Sequence, residues 1–224
     1  MPIATTLRNL LRSGIHRIGE LEIQTNACNC RYIICHIADV KLTREPAFGG
    51  LEFHEGPSAA RDISTYAADG TYRFTKGQIN LKRGWVMSLQ TDEDLRLALD
   101  QFYPACVGLF IARQGGTLEI ETLRDKLNRQ TGMYQFARSI SDAGAQQLVQ
   151  KVCGPAHQCA KKILWQIDLQ TPLDDSEASR FNGLVGDVPE SEAIPLLCRE
   201  ACNHFVAECR LAAKAEFAAK STLE

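Results

Sequence analysis

The sequence predicts an α+β protein, with mixed hairpins and helices over residues 1–140 and a mostly helical part over 141–224. Two patterns carry that reading. Apolar residues alternate or run continuously in GELEIQTN, CRYIICHIAD and CVGLFIARQGGTLEIETL, which marks strands. From Ser141 onward they recur at helical spacing, as in SDAGAQQLVQKVCGP and CREACNHFVAECRLAAKAEFAAK.

In chain order, LRNLLRSGI reads as a short amphipathic helix, followed by a β-hairpin that turns around Asn26 to Asn29. Glu45 to Pro57 reads as a loop, and a helix is expected from Ser58 to Gly70. TDEDLRLALDQFY opens with a capping pattern, Thr91 or Asp92 followed by acids in the first turn. CVGLFIARQGGTLEIETL is expected to form two strands around Gly115 and Gly116, and ETLRDKLNRQTG a helix closed by Gly132. Ser141 is placed as an N-cap and Gly154-Pro155 as the stop of the next helix, so Cys153 falls at a helix C-terminus. The acidic, Gly-, Pro- and Ser-rich stretch from Ile167 to Pro195 reads as a long loop, and the last helix presents Cys202, Phe205, Val206, Cys209 and Ala213 on one face.

A chain of 224 residues with 25 basic and 27 acidic side chains is near charge balance, which argues against a dedicated nucleic-acid surface. No apolar run approaches the roughly 18 residues that span a membrane. Arg8, Arg12 and Arg17 precede the first acid, but IHRIGELEI continues straight into alternation, as folded protein does and a cleaved leader does not. A cytoplasmic protein is therefore expected, where clustered cysteines hold metal more often than they pair. The cysteine count of nine is odd, which no complete disulfide pairing satisfies.

Four thiols form a set: Cys153 and Cys159 in a C-x5-C pair, then Cys198 and Cys202 in a C-x3-C pair. Four thiolates select zinc or an iron-sulfur cluster over magnesium or calcium. Structural zinc knuckles usually hold two to four residues between paired cysteines, which the first pair exceeds, whereas cluster spacings vary more. The amides of the Cys202 helix, with Lys161, Lys162 and Arg199 nearby in sequence, would suit an anionic cluster. Zinc and plain buried thiols stay open on these grounds. Cys28, Cys30 and Cys35 with His36 read as core or turn residues, because alternation sends Cys35 and His36 to opposite faces of a strand. Cys106 and Cys209 read as core, and His157 and His204 as solvated neighbours of the set.

The runs YRFTKGQINLKRGW, LRLALDQFYPACVGLFIA, LRDKLNRQTGMY, CAKKILW and CREACNHFVAECR, in that order over roughly residues 58 to 214, resemble the iron-sulfur domain found fused to CbiX-type sirohydrochlorin chelatases. The resemblance implies a 4Fe-4S cluster held by Cys153, Cys159, Cys198 and Cys202. It also implies a link to tetrapyrrole metallation, with a sirohydrochlorin-type chelatase or the tetrapyrrole itself as partner. The chain leaves no room for the chelatase domain and offers no histidine pair for metal insertion, so an accessory or redox role is expected. A cluster-dependent enzyme and a zinc-stabilised interaction protein are the alternatives. Within RQTGMY, Arg129 and Tyr134 either line a site for a carboxylate-bearing ligand or belong to packing around Gly132. The absence of G-x-G-x-x-G in a strand-turn-helix setting, of G-x-x-x-x-G-K-[ST] and of G-x-S-x-G removes dinucleotide, P-loop and hydrolase-elbow readings.

Overall fold

The alternating LEIQT and the apolar YIICH form the central hairpin of a sheet, β2 (Leu21–Thr25) and β3 (Tyr32–His36), with Ile23 opposite Ile34 in antiparallel register. They are seen in a computed structural model that describes residues 2–25, 32–73, 75–119, 121–153, 159–167 and 192–221. The turn expected at Asn26 to Asn29, Cys28, Cys30 and His157 lie outside the described residues, as does most of the loop expected from Ile167 to Pro195.

β5 (Trp85–Leu89) pairs antiparallel with β3, and β4 (Glu52–Glu55) runs parallel beside β5. β1 (Arg17–Ile18) pairs antiparallel with β2, and β7 (Ala193–Ile194) runs parallel to β1. The sheet order is β4-β5-β3-β2-β1-β7. Every residue of β3 and β5 is buried, which requires cover on both faces. On one face Trp85 stacks on Phe102 of α3 (Asp92–Phe102), with ring centroids 5.1 Å apart. On the other, Ile33, Cys35 and Val86 pack with Leu51, Val40, Leu42 and Phe48 from the chain between β3 and β4.

α1 (Ile3–Arg12) and α3 form as expected, and α3 carries the full capping box: the Asp94 amide donates to Thr91 Oγ1 and the Thr91 amide to Asp94. Two expectations are corrected. The helix from Ser58 is a 3-10 turn over Pro57–Ala59 followed by the short α2 (Ala60–Thr65), because Tyr66 turns extended and bridges to Tyr72 while Ala67 bridges to Leu81. CVGLFIARQ forms α4 (Cys106–Gln114) instead of a strand, burying Cys106, Val107 and Phe110 at helical spacing. A continuous apolar run has no period of its own to separate helix from strand.

The chain divides into two compact units. One comprises the chain to Leu118 and takes in the segment ending at Leu196; the other begins at Glu119 and resumes at Leu197. A boundary at residue 140 would give 119–140 to the first part, but Leu123, Leu127, Ala137 and Ile140 are buried with the helices that follow them. In the second unit, α5 (Leu123–Asn128), a 3-10 segment over Gly132–Ser139, α6 (Asp142–Val152) and α7 (Asn203–Ser221) enclose a core with Trp165, Phe205, Val206, Cys209 and Ala213. Two short strands, β6 (Lys162–Ile163) and β8 (Leu197–Cys198), pair in parallel beside it. Gly132 therefore opens the 3-10 segment, with φ of +57°, and α5 ends at Asn128. No single helix among the described residues is long and apolar enough to cross a membrane.

Candidate metal centre

α6 is capped by Ser141, whose Oγ accepts the Gly144 amide, and its buried face of Ala145, Leu148 and Val152 fixes how it lies on the core. That places Cys153 as its C-cap, with its amide donating to Val149 O at 2.9 Å. Cys159 lies just before β6. Cys198 is the second residue of β8, opposite Ile163 of β6, and its carbonyl accepts the Leu164 amide at 2.9 Å. Cys198 and Cys202 are thus joined across the end of a strand and the start of a helix, since α7 starts only at Asn203.

Cys202 precedes α7 and accepts the Phe205 amide on Sγ at 3.4 Å, while its carbonyl accepts the Val206 amide. A thiol sulfur thus does the work of an N-cap oxygen and sits where unpaired helix amides favour negative charge. Cys198 Sγ donates to Glu200 O at 3.0 Å, tightening the turn between the two cysteines.

Cys153, Cys159, Cys198 and Cys202 are all half-buried, and none of them forms a disulfide. Burial pushes the Cys153 thiol well above the ordinary range, and the charges of Cys159, Cys198, Cys202 and Cys209 push it further. Burial likewise raises Cys159; the Lys161 amide and ammonium oppose this, and Cys202 adds to it. Cys159, Cys198 and Cys202 thus lie near enough to Cys153 for their charges to act on it. Among the described residues, no three His, Cys, Asp or Glu side chains stand in a metal-ligating arrangement. Cys209 is fully buried in the core, one face of α7 beyond Cys202, and burial pushes it up to about 12.

An ion network adjoins the second cysteine pair. Glu121 takes Arg129 at 2.6 Å, Lys126, and Arg199 at 3.5 Å; Glu200 takes Lys126 at 3.3 Å and Arg129 at 3.4 Å. Hydrogen bonds from Arg129 and Lys126 pull the Glu121 carboxyl down to about 2. Three cations on two carboxylates leave a positive surplus in and around the segment between Cys198 and Cys202, the sign that favours an anionic cluster. Sequence reasoning missed this network, because Lys126 and Glu200 lie 74 residues apart. Arg129, expected as a ligand contact, has its guanidinium on Glu121 and Glu200. Tyr134 lies in the 3-10 segment, 40% exposed, with the Arg210 guanidinium 5.5 Å over its ring.

Residues 115–211 match the family model of a 4Fe-4S iron-sulfur cluster binding domain. The chain carries a 4Fe-4S cluster-binding domain. Four soft thiols in one neighbourhood are a donor set that fits such a cluster. The cluster-binding domain starts within four residues of the observed division at Leu118, and residues 4–113 match a different family, the DR2241 stabilising domain. YRFTKGQINLKRGW and LRLALDQFYPACVGLFIA therefore belong with that second match and not with the iron-sulfur one. Among solved structures, DR2241 from Deinococcus radiodurans is similar at 23% identity with a TM-score of 0.70, over 95% of this chain and 41% of that one. It is described as a multi-domain protein with structural similarity to chelatases and with two additional novel domains. At that identity the likeness shows the fold. No curated protein matches the chain.

Proposed function

We propose that Cys153, Cys159, Cys198 and Cys202 are the ligands of one 4Fe-4S cluster, and that the chain is a cytoplasmic accessory or redox module of tetrapyrrole metallation, working with a sirohydrochlorin-type chelatase. The observation that carries the ligand assignment is that, among the described residues, these four are the half-buried thiols of the region that matches the cluster-binding family, whereas Cys209 is closed in the core. Four cysteine ligands leave no open iron position, which supports electron transfer or a structural role over direct substrate chemistry. When bound, the cluster supplies one-electron transfer. The chain's own part is to hold Cys198 and Cys202 at the end of β8 and the start of α7, to place the α7 amides behind Cys202, and to keep Lys126 and Arg199 near the developing negative charge.

The link to a chelatase draws on the DR2241 likeness and on the resemblance in the sequence, and it stands apart from the ligand assignment. Arg129 and Tyr134 are the proposed contacts of a carboxylate-bearing tetrapyrrole, whose carboxylates would take the place of Glu121 or Glu200 on the guanidinium. Protein purified without oxygen should be brown, with about four irons and matching sulfide per chain. Serine at any of the four cysteines should lower both. Stoichiometric zinc without sulfide would overturn the cluster. Titration of the holo-protein with sirohydrochlorin, with and without a separate chelatase, tests the pathway: binding that weakens with salt and in Arg129→Ala supports it, and no binding to either removes it.

A further inference from the structure

Among its described residues, the first unit holds a group of cations that no carboxylate bonds directly. Arg73 is 2% exposed, yet its guanidinium meets only neutral acceptors: Nε donates to Asn80 Oδ1 at 3.0 Å, and the two terminal nitrogens donate to Ser64 O at 3.1 Å and Gln78 O at 2.7 Å. Glu20, the acid whose charge Arg73 feels, has its carboxylate on His36 and on the Leu81 amide. Lys76 Nζ bonds the same Ser64 carbonyl at 2.6 Å and Ser64 Oγ at 2.8 Å, so two cations share one oxygen. Arg61, three residues before Ser64 on α2, lies on the same helix face and its charge reaches Lys76. Thr75 Oγ1, beside Lys76 in the chain, is buried and has no hydrogen-bond partner.

Arg73 has a structural use: its three bonds tie Gln78 and Asn80 to Ser64 of α2. That use needs neither Lys76, nor Arg61, nor the unsatisfied Thr75 hydroxyl. Ser64 is fully buried, which rules it out as a nucleophile activated by Lys76. What remains among the described residues is a half-buried ammonium and a second guanidinium, neither on a carboxylate, and a hydroxyl without a hydrogen-bond partner.

We propose that Arg61, Thr75 and Lys76, backed by the buried Arg73, form a binding site for an oxyanion group, a carboxylate or a phosphoryl, of a small ligand. The anion would supply the negative charge absent from this group and an acceptor for Thr75. The state of Lys76 agrees: burial first, then the charges of Arg73 and Arg61, bring it down to about 8, as befits a cation awaiting its partner. The site lies wholly in the unit that matches the stabilising-domain family, so it stands or falls independently of the cluster.

The test is competition for the Lys76 amine. The intact protein is labelled with an amine-acylating reagent at pH 8, with inorganic phosphate or acetate added in turn at constant ionic strength, and each lysine is followed by mass spectrometry. Phosphate, acetate or both should slow labelling of Lys76 at least several-fold while Lys41 and Lys220 label unchanged; the effective anion names the class. The same anion should raise the unfolding temperature of the wild type and not of Lys76→Met or Arg61→Gln. Labelling of Lys76 unaffected by either anion, or slowed equally with the other lysines, would overturn the site. An equal thermal rise in wild type and Arg61→Gln would do the same. If Lys76→Met fails to fold, labelling of the unaltered protein decides.

Discussion

Gly19 shows how much one missing Cβ can carry. Its φ is +54°, and a Cβ there would stand 2.5 Å from the ring of Tyr103, whose hydroxyl accepts the Glu20 amide. The ring is fully buried and cannot swing away. Gly19→Ala should therefore lower the denaturant midpoint by an amount equivalent to about 2 kcal/mol or more, from left-handed strain and overpacking together. Neighbouring Glu20 accepts a hydrogen bond from His36 Nε2, since the Ala38 amide occupies Nδ1. Such contacts, 16 and 83 residues apart, leave no local trace in a sequence. Ser141 and Thr91 do, because a cap is written within four residues. Cys202 and Cys209 separate capping from packing. In metal-free protein, Cys202→Ala should lose about 1 kcal/mol of stability while Cys202→Ser keeps most of it. Cys209→Ala should leave iron content unchanged, because seven residues on a helix advance about 10.5 Å, too far for both sulfurs to reach one compact cluster.

Among the elements, those with polar residues between apolar ones were legible. The α3 and α6 periods, the β2–β3 pair and the buried face of α7 all follow from spacing. α4 was not legible, because in CVGLFIA nearly every position is apolar and burial alone decides which side chains point inward. β8 escaped for another reason: its two residues pair with β6, 35 positions earlier, so Cys198 sits in a strand that no local pattern announces. The Glu121 network gives the element-scale prediction. Glu121 has a carboxyl held down to about 2, below its ordinary value, so its stabilising effect is complete above the ordinary carboxylate range and fades as pH falls from there through about 2. Glu121→Gln should be less stable than wild type at pH 7, with buried Lys126 left short of a partner, and thermal melts of the two should converge on approaching pH 2.

At the scale of the whole molecule, each unit has its own core, the first around a sheet covered on both faces and the second around four helical segments. Unfolding should proceed in two transitions, and removal of iron should lower only the one that belongs to the thiol-bearing unit. Calorimetry of holo- and iron-free protein checks this; one transition that shifts as a whole would count against it. The strand β7 adds a topological condition. It comes from beyond residue 190, yet it completes the sheet of the first unit along β1. A fragment ending at Leu118 would keep every other strand of that sheet and lose this one, leaving β1 paired with β2 but open along the edge that β7 covers. An open edge offers unpaired backbone groups to other chains, so the fragment should self-associate more than the intact protein in sedimentation, and a peptide carrying Ala193 and Ile194 supplied in trans should reduce it. The two units, although separately packed, are thus braided into one chain that no single cleavage can divide without damaging a sheet.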